Sequence, residues 1–124
     1  MVKYFTLEEA NALLPTLEPL MAELLQRRAR VVQSREAIAD ILEDLHSNRG
    51  SAEASRIVQD FMAIENLAQR IRGYGCVIKD LNAGLLDFLS DRNGREVYLC
   101  WRYGEPRIEF FHELHTGFMS RQRY

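Results

Sequence analysis

The fold is decided by two segments near the C-terminus, Arg95-Glu96-Val97-Tyr98-Leu99-Cys100-Trp101-Arg102 and Arg107-Ile108-Glu109-Phe110-Phe111-His112-Glu113, which are joined through Gly104-Glu105-Pro106. Apolar and polar residues alternate in both segments, and this period predicts two antiparallel strands. One face of the pair is apolar. The other face collects ionisable side chains and a thiol: Glu96, Cys100, Arg102, Glu109 and Glu113. If the protein has a functional site, we expect it on this small sheet.

Two more strands are predicted upstream of this pair. Residues 76–79 and 85–89 have strand-like patterns, and residues 80–84 form a turn between them. Asn93-Gly94 joins the second strand to the third, and this dipeptide is the strongest short-range hairpin signal. The sequence therefore predicts a four-stranded antiparallel meander over residues 76–115.

The two hairpin turns set a trial register for this sheet. The last turn, taken as a two-residue type II′ turn, puts His112 on the core side and Cys100 opposite Glu109. The Asn-Gly turn, also taken as two residues, puts Asp87 beside Cys100. The predicted row is Asp87–Cys100–Glu109, and a slip of one residue would move every side chain to the opposite face.

Helical patterns fill the chain before the sheet. Thr6-Leu7-Glu8-Glu9 is a capping box that begins a short helix, expected to end at Leu14 because Pro15 disfavours a helical residue before it. A second helix starts at Thr16, and a third covers about residues 52–72 after the polar loop at 47–51. The second helix has an apolar residue at every seventh position: Leu17, Leu24, Val31, Ile38 and Leu45.

These elements predict an α+β fold with a short N-terminal helix, a long antiparallel helical hairpin and the meander packed at its C-terminal end. A length of 124 residues predicts one domain over 1–124, with a helical part at 7–72 and the sheet at 76–115.

Composition excludes several classes of function. The net charge of −2 provides no general attraction for nucleic acid or anionic lipid, and basic clusters occur only around Arg27 and Arg121. No apolar run approaches the roughly 20 residues of a membrane span, and the N-terminus lacks a signal-peptide core. Two cysteines are too few for a disulfide framework, so both are interpreted as reduced, buried thiols. We therefore expect a cytoplasmic protein.

A divalent metal is the cofactor that the sheet could hold. Its candidate ligands are Asp87, Glu105, Glu109, His112 and Glu113. The alternative is that the glutamates pair with arginines across the strands and that His112 is an ordinary core histidine. His112 and His115 are three residues apart in a strand-like segment, so they do not form the i, i+4 pair of a zinc metalloprotease.

Two classes of function stay open. The first is a non-enzymatic, homo-oligomeric interaction or assembly protein, because the long heptad-patterned second helix outruns its partner and could pair with a second copy. The second is a metal-binding protein or metal-dependent hydrolase that uses the acidic face of the sheet. Convergence of the carboxylates in one place favours the second class, and arginine-paired carboxylates on a flat surface favour the first.

Motifs at both ends of the chain resemble one known family. They are Tyr4-Phe5-Thr6-Leu7-Glu8-Glu9-Ala10-Asn11, Val77-Ile78-Lys79-Asp80, Gly84-Leu85-Leu86-Asp87-Phe88, Gly94-Arg95-Glu96-Val97, Leu99-Cys100-Trp101, Gly104-Glu105-Pro106 and His112-Glu113-Leu114. The chain with these motifs resembles the Domain of Unknown Function 2203 family of small bacterial proteins. The resemblance covers nearly the whole chain. It implies a small stand-alone bacterial protein and carries no activity, cofactor or catalytic residue with it.

Overall fold

The computed structural model describes residues 2–34 and 52–124, which form two long helices and a five-stranded antiparallel sheet. The elements in chain order are α1 (Leu7–Gln33), α2 (Ala52–Arg72), β1 (Val77–Asp80), β2 (Leu85–Arg92), β3 (Arg95–Arg102), β4 (Phe110–Glu113), a 3-10 turn (Phe118–Ser120) and β5 (Gln122–Arg123). The α+β class predicted from the sequence is confirmed. The predicted loop at 47–51 and the heptad positions Ile38 and Leu45 lie outside the described residues.

The predicted break at Pro15 is wrong, because α1 runs through it without interruption. The capping box is present as predicted: Glu9 N–H donates to Thr6 Oγ1 at 3.0 Å, and Thr6 N–H donates to the Glu9 carboxylate at 2.9 Å. Proline costs a helix one hydrogen bond and some steric strain. An unbroken buried stripe on both sides of Pro15 offsets that cost: Ala10, Leu14, Leu17, Leu20, Met21 and Leu24.

The second described helix packs beside α1 through apolar and ionic contacts. Leu67, Ala68 and Ile71 of α2 are buried against the α1 stripe. Asp60 is also buried, and its carboxylate accepts from Arg27 at 3.2 Å and from Arg30 at 2.5 Å. A buried carboxylate needs such partners, and these two fix where the helices meet.

The sheet is a meander with the order β1-β2-β3-β4-β5, so it has one strand more than predicted. Asn93 and Gly94 form a two-residue turn with φ of 56° and 81°, the left-handed backbone that this hairpin type requires. The turn pairs Arg92 with Arg95 and therefore Asp87 with Cys100, as the sequence predicted. The added strand β5 is only two residues long and pairs with β4.

The register of β3 with β4 differs by one residue from the prediction. Cys100 lies opposite Phe110, where Glu109 was expected. The expected turn centred on Gly104 and Glu105 is not formed, because Glu105 N–H donates to the Arg102 carbonyl at 3.0 Å. Ile108 instead contacts α1: its N–H donates to Asn11 Oδ1 at 2.7 Å, and Asn11 Nδ2 donates to its carbonyl at 3.3 Å. The Asn11 side chain thus occupies both backbone groups of Ile108, and strand pairing begins only at Phe110.

One hydrophobic core joins the helices to one face of the sheet. That face carries Leu86, Phe88, Val97, Leu99, Trp101 and Phe111, all buried. The one-residue shift puts Phe111 in this core, where His112 was expected, and moves His112 to the other face. Among the described residues, no helix is long and apolar enough to cross a membrane.

Candidate metal centre

Three potential metal ligands meet on the sheet face that turns away from the helices. Asp87 of β2, Cys100 of β3 and His112 of β4 each offer a ligand atom, and these atoms all lie within 4.8 Å of one another. All three residues are about 1% exposed. Within residues 2–34 and 52–124, no other group of three such side chains lies this close together.

The sheet register explains why these three side chains meet. Asp87 and Cys100 are direct cross-strand partners, and His112 lies two residues beyond the partner of Cys100 on the same face. Side chains at such direct and diagonal positions are within reach of one another. The predicted Asp87–Cys100 neighbourhood is confirmed, and the one-residue shift of β4 completes it with His112 in place of Glu109.

The hydrogen bonds of His112 define its tautomer. Its Nδ1 lies 2.8 Å from the carbonyl oxygen of Glu113, which can only accept, so Nδ1 carries the proton. Its Nε2 lies 3.1 Å from both carboxylate oxygens of Asp87. In a neutral imidazole this Nε2 bears a lone pair, and it then faces an anion that has no hydrogen to donate. A cation between the two groups, or one proton shared between the ring and the carboxyl group, resolves this conflict.

In the absence of a bound metal, Cys100 is a buried, protonated thiol. Burial raises the pKa of Cys100 to about 12, and the nearby charge of Asp87 acts in the same direction. Cys76 is a structural thiol: burial raises its pKa to about 11, and its Sγ donates to the Ile71 carbonyl at 3.4 Å. Neither thiol has the lowered pKa of a catalytic nucleophile. The predicted burial of both free cysteines is confirmed.

An arginine of the C-terminal segment, Arg121, lies beside the cluster, and this contact was not predicted from the sequence. The guanidinium of Arg121 interacts with Cys100 and opposes the rise in its pKa. Arg121 is held by the Glu105 carboxylate at 3.0 Å, and its guanidinium carbon lies 4.3 Å from the ring centre of Phe110 and 4.0 Å from that of Phe118. No local sequence signal points to this contact, because it depends on tertiary structure.

The three glutamates proposed as ligands lie outside this cluster, and each has an arginine partner. Glu105 binds Arg121, and Glu113 lies 3.1 Å from Arg95. Glu109 lies 3.5 Å from Arg123 and 3.8 Å from Arg107. The structure therefore brings together two of the five candidate ligands, Asp87 and His112. It adds Cys100, which the sequence analysis placed in the right row without naming it as a ligand.

Fold and site together describe an α+β protein whose antiparallel meander buries an Asp–Cys–His cluster away from its main core. Residues 3–124 match the family model described as "Uncharacterized conserved protein (DUF2203)", so the chain belongs to this family, as its motifs indicated. No curated protein and no solved structure matches the chain.

Proposed function

We propose that this protein binds one transition-metal ion, with zinc as the best fit, through Asp87, Cys100 Sγ and His112 Nε2. The observation that carries the proposal is the orientation of His112. Histidines that ligate metals usually donate their other N–H to a carbonyl or carboxylate, which leaves the ligating nitrogen free. His112 donates from Nδ1 to the Glu113 carbonyl and directs Nε2 at the cluster.

The donor set supports zinc over the hard cations. One sulfur, one nitrogen and one carboxylate oxygen suit a borderline-soft ion, whereas magnesium and calcium prefer oxygen ligands. In a tetrahedral zinc site, with bonds of roughly 2.0–2.3 Å, neighbouring ligand atoms are about 3.3–3.7 Å apart. The ligand atoms here lie within 4.8 Å of one another, so small side-chain movements suffice.

Three protein ligands leave one coordination position for water or a substrate, which is the arrangement of catalytic zinc sites. A bound zinc ion would supply a Lewis acid or an activated water there. Arg121 and Phe118 lie over this face of the sheet, so a substrate would have to pass them. Metal binding is therefore the primary proposal, and hydrolysis is an activity to screen once the metal is identified.

Elemental analysis of untagged protein, purified without chelator, tests the proposal. We expect close to one zinc per chain in the wild-type protein and none in Cys100→Ala or Asp87→Asn. Cys76→Ala is the matched control, because it removes the other buried thiol and leaves the cluster intact. Glu109→Gln should also retain the metal, because Glu109 lies outside the cluster. Protein that takes up no zinc, cobalt or iron even when refolded with them contradicts the proposal.

Self-association was predicted through the long heptad-patterned helix, whose positions Ile38 and Leu45 lie outside the described residues. Within the described residues, homo-oligomeric assembly, the second candidate function, is favoured by an apolar stripe on α2. Val58, Phe61 and Met62 are 56%, 54% and 68% exposed, and their spacing puts them on one face of the helix. A contiguous exposed apolar stripe is typical of an interaction surface. We propose that two copies pair through this face.

Light scattering after size exclusion, at tens of micromolar protein, tests this second candidate. We expect a dimer in the wild-type protein and a monomer in Phe61→Gln/Met62→Gln. Met119→Gln is the control, because Met119 is 93% exposed elsewhere. A monomeric wild-type protein rules out this candidate.

From the sequence features alone, we also propose that the protein acts in the bacterial cytoplasm.

A further inference from the structure

A largely enclosed guanidinium group lies beside the proposed metal site. The side chain of Arg121 is only 14% exposed, and its charge interacts with the thiol of Cys100. Arg121 directly follows the 3-10 turn Phe118–Ser120 in the C-terminal segment. A guanidinium that has left water needs an anionic partner, and a neutral thiol alone does not provide one.

An ion pair and two aromatic rings fix the position of Arg121. Its Nη1 donates to Glu105 Oε1 at 3.0 Å. Its guanidinium carbon lies 4.3 Å from the ring centre of Phe110 and 4.0 Å from that of Phe118. Because the stacked rings and the carboxylate already restrict the side chain, it loses little further freedom when another N–H makes a hydrogen bond.

Glu105 is in turn held by the end of β3. Its carboxylate accepts from the Arg102 N–H at 2.7 Å, and its carbonyl accepts from Trp101 Nε1 at 3.0 Å. Trp101 is buried in the main core. A chain of contacts therefore leads from the core through Glu105 and Arg121 to Cys100. Contacts of this kind, just outside the ligand set, orient and tune the ligands of protein metal sites.

The charges of these groups balance when a zinc ion is bound. The Asp87 carboxylate and the Cys100 thiolate neutralise Zn²⁺, while Glu105 neutralises Arg121. Without metal, Cys100 is a neutral thiol, which is a weak hydrogen-bond acceptor. Metal binding removes the thiol proton, and the resulting thiolate accepts a charge-assisted hydrogen bond well. The position of Arg121 therefore suits the metal-bound form better than the metal-free form.

We propose that Arg121 is a positioning residue of the metal site, which donates an N–H to the Cys100 thiolate and withdraws electron density from its sulfur. This inference rests on the proposed metal binding. It gives Glu105, which the sequence analysis treated as a candidate ligand, the different role of holding Arg121. A thiolate with such a donor is a weaker nucleophile, so the site would use its metal as a Lewis acid and would not react through sulfur.

The test is cobalt substitution, because Co²⁺ can replace zinc and its bond to a thiolate gives a charge-transfer band in the near ultraviolet. A hydrogen bond to sulfur stabilises the electrons that this band excites. We therefore expect Arg121→Met to move the band to longer wavelength and to weaken cobalt binding about tenfold. Arg121→Lys keeps the charge without the planar fork, so its band should lie between those of Arg121→Met and the wild type.

Arg123→Met is the matched control, because it makes the same change two residues away. Arg123 also lies over Phe110, at 5.3 Å, but it pairs with Glu109. This variant should keep the wild-type band and the wild-type affinity. Glu105→Gln should shift the band in the same direction as Arg121→Met but less, because a neutral amide holds Arg121 less firmly. It also serves as the test if circular dichroism shows that Arg121→Met does not fold.

The outcomes separate this inference from the metal site itself. Wild-type protein that binds neither cobalt nor zinc overturns both. If the wild type binds cobalt and the band does not move in Arg121→Met or Glu105→Gln, the metal site stands and the role of Arg121 is wrong. An equal shift in Arg123→Met also overturns this role, because the loss of any nearby charge would then explain the result.

Discussion

The two buried cysteines allow the proposed metal site to be tested through stability. Cys100 and Cys76 are 1% and 4% exposed, so replacing either thiol by alanine removes one buried sulfur atom. In the presence of chelator we expect both variants to lose a similar free energy of unfolding, about 1–2 kcal/mol. This common loss is the packing contribution of each thiol.

Zinc should then separate the two variants. A ligand that binds only the folded state at 100 times its dissociation constant stabilises that state by about 2.7 kcal/mol. For a domain of this length that corresponds to a rise in Tm of about 8–14 °C. We expect this rise in the wild-type protein and in Cys76→Ala, and almost none in Cys100→Ala.

The assay is thermal and urea unfolding at buffered free zinc, with zinc affinity first measured on the wild type. For each protein, the free energy of unfolding with zinc is compared with that of the same protein without zinc. The cost of the cavity that each substitution leaves therefore cancels. An equal increment in Cys100→Ala and Cys76→Ala would refute the assignment of Cys100 as a ligand. The absence of an increment in the wild type would refute the metal site as a whole.

Three more predictions follow from the same structure. The pKa of Cys100 is about 12, so zinc must displace the thiol proton at any ordinary pH. The zinc affinity, measured by competition with a chelator, should therefore rise at least tenfold per pH unit from about pH 6 to 8. A zinc affinity that does not change with pH argues against thiolate ligation. Asn11→Ala leaves the buried N–H of Ile108 without its acceptor and should cost about 1–3 kcal/mol in urea unfolding. Asn11→Asp keeps that acceptor, although it loses the Nδ2 donor to the Ile108 carbonyl, and should cost less. Gly94→Ala should cost about 1 kcal/mol, because its φ is positive but the space around it is open. Gly84→Ala should cost more, because its new Cβ would lie 2.8 Å from a neighbouring side chain, and equal losses would contradict this account.

Short-range sequence signals predicted the part of the candidate site formed by Asp87 and Cys100. The Asn93-Gly94 turn is determined by its own two residues, because few other sequences adopt this backbone readily. It therefore fixed the pairing of Asp87 with Cys100 from sequence alone. The capping box at Thr6 was predictable for the same reason, since its two hydrogen bonds join residues three apart.

The position of His112, the third member of the site, depends on contacts between residues that are far apart in the sequence. Ile108, two residues before β4, has both backbone groups bonded to Asn11, which is 97 residues away. Gly104 predicted a two-residue hairpin turn. Instead, the chain leaves the sheet after Arg102 and contacts α1 through Ile108 before β4 begins. Tertiary structure also overrode the break expected at Pro15, because core packing on both sides holds the helix together.

The hydrogen bonds between Asn11 and Ile108 have a consequence for how the protein is made. They join the first helix to the residue just before β4 across a sequence separation of 97 residues, and contacts of such large sequence separation form slowly. Until they form, nothing local prevents the final hairpin from pairing one residue out of frame, with His112 on the wrong side. We therefore expect the ability to hold metal to arise as a late event of folding, after synthesis is complete, so that nascent or truncated chains would not sequester the ion.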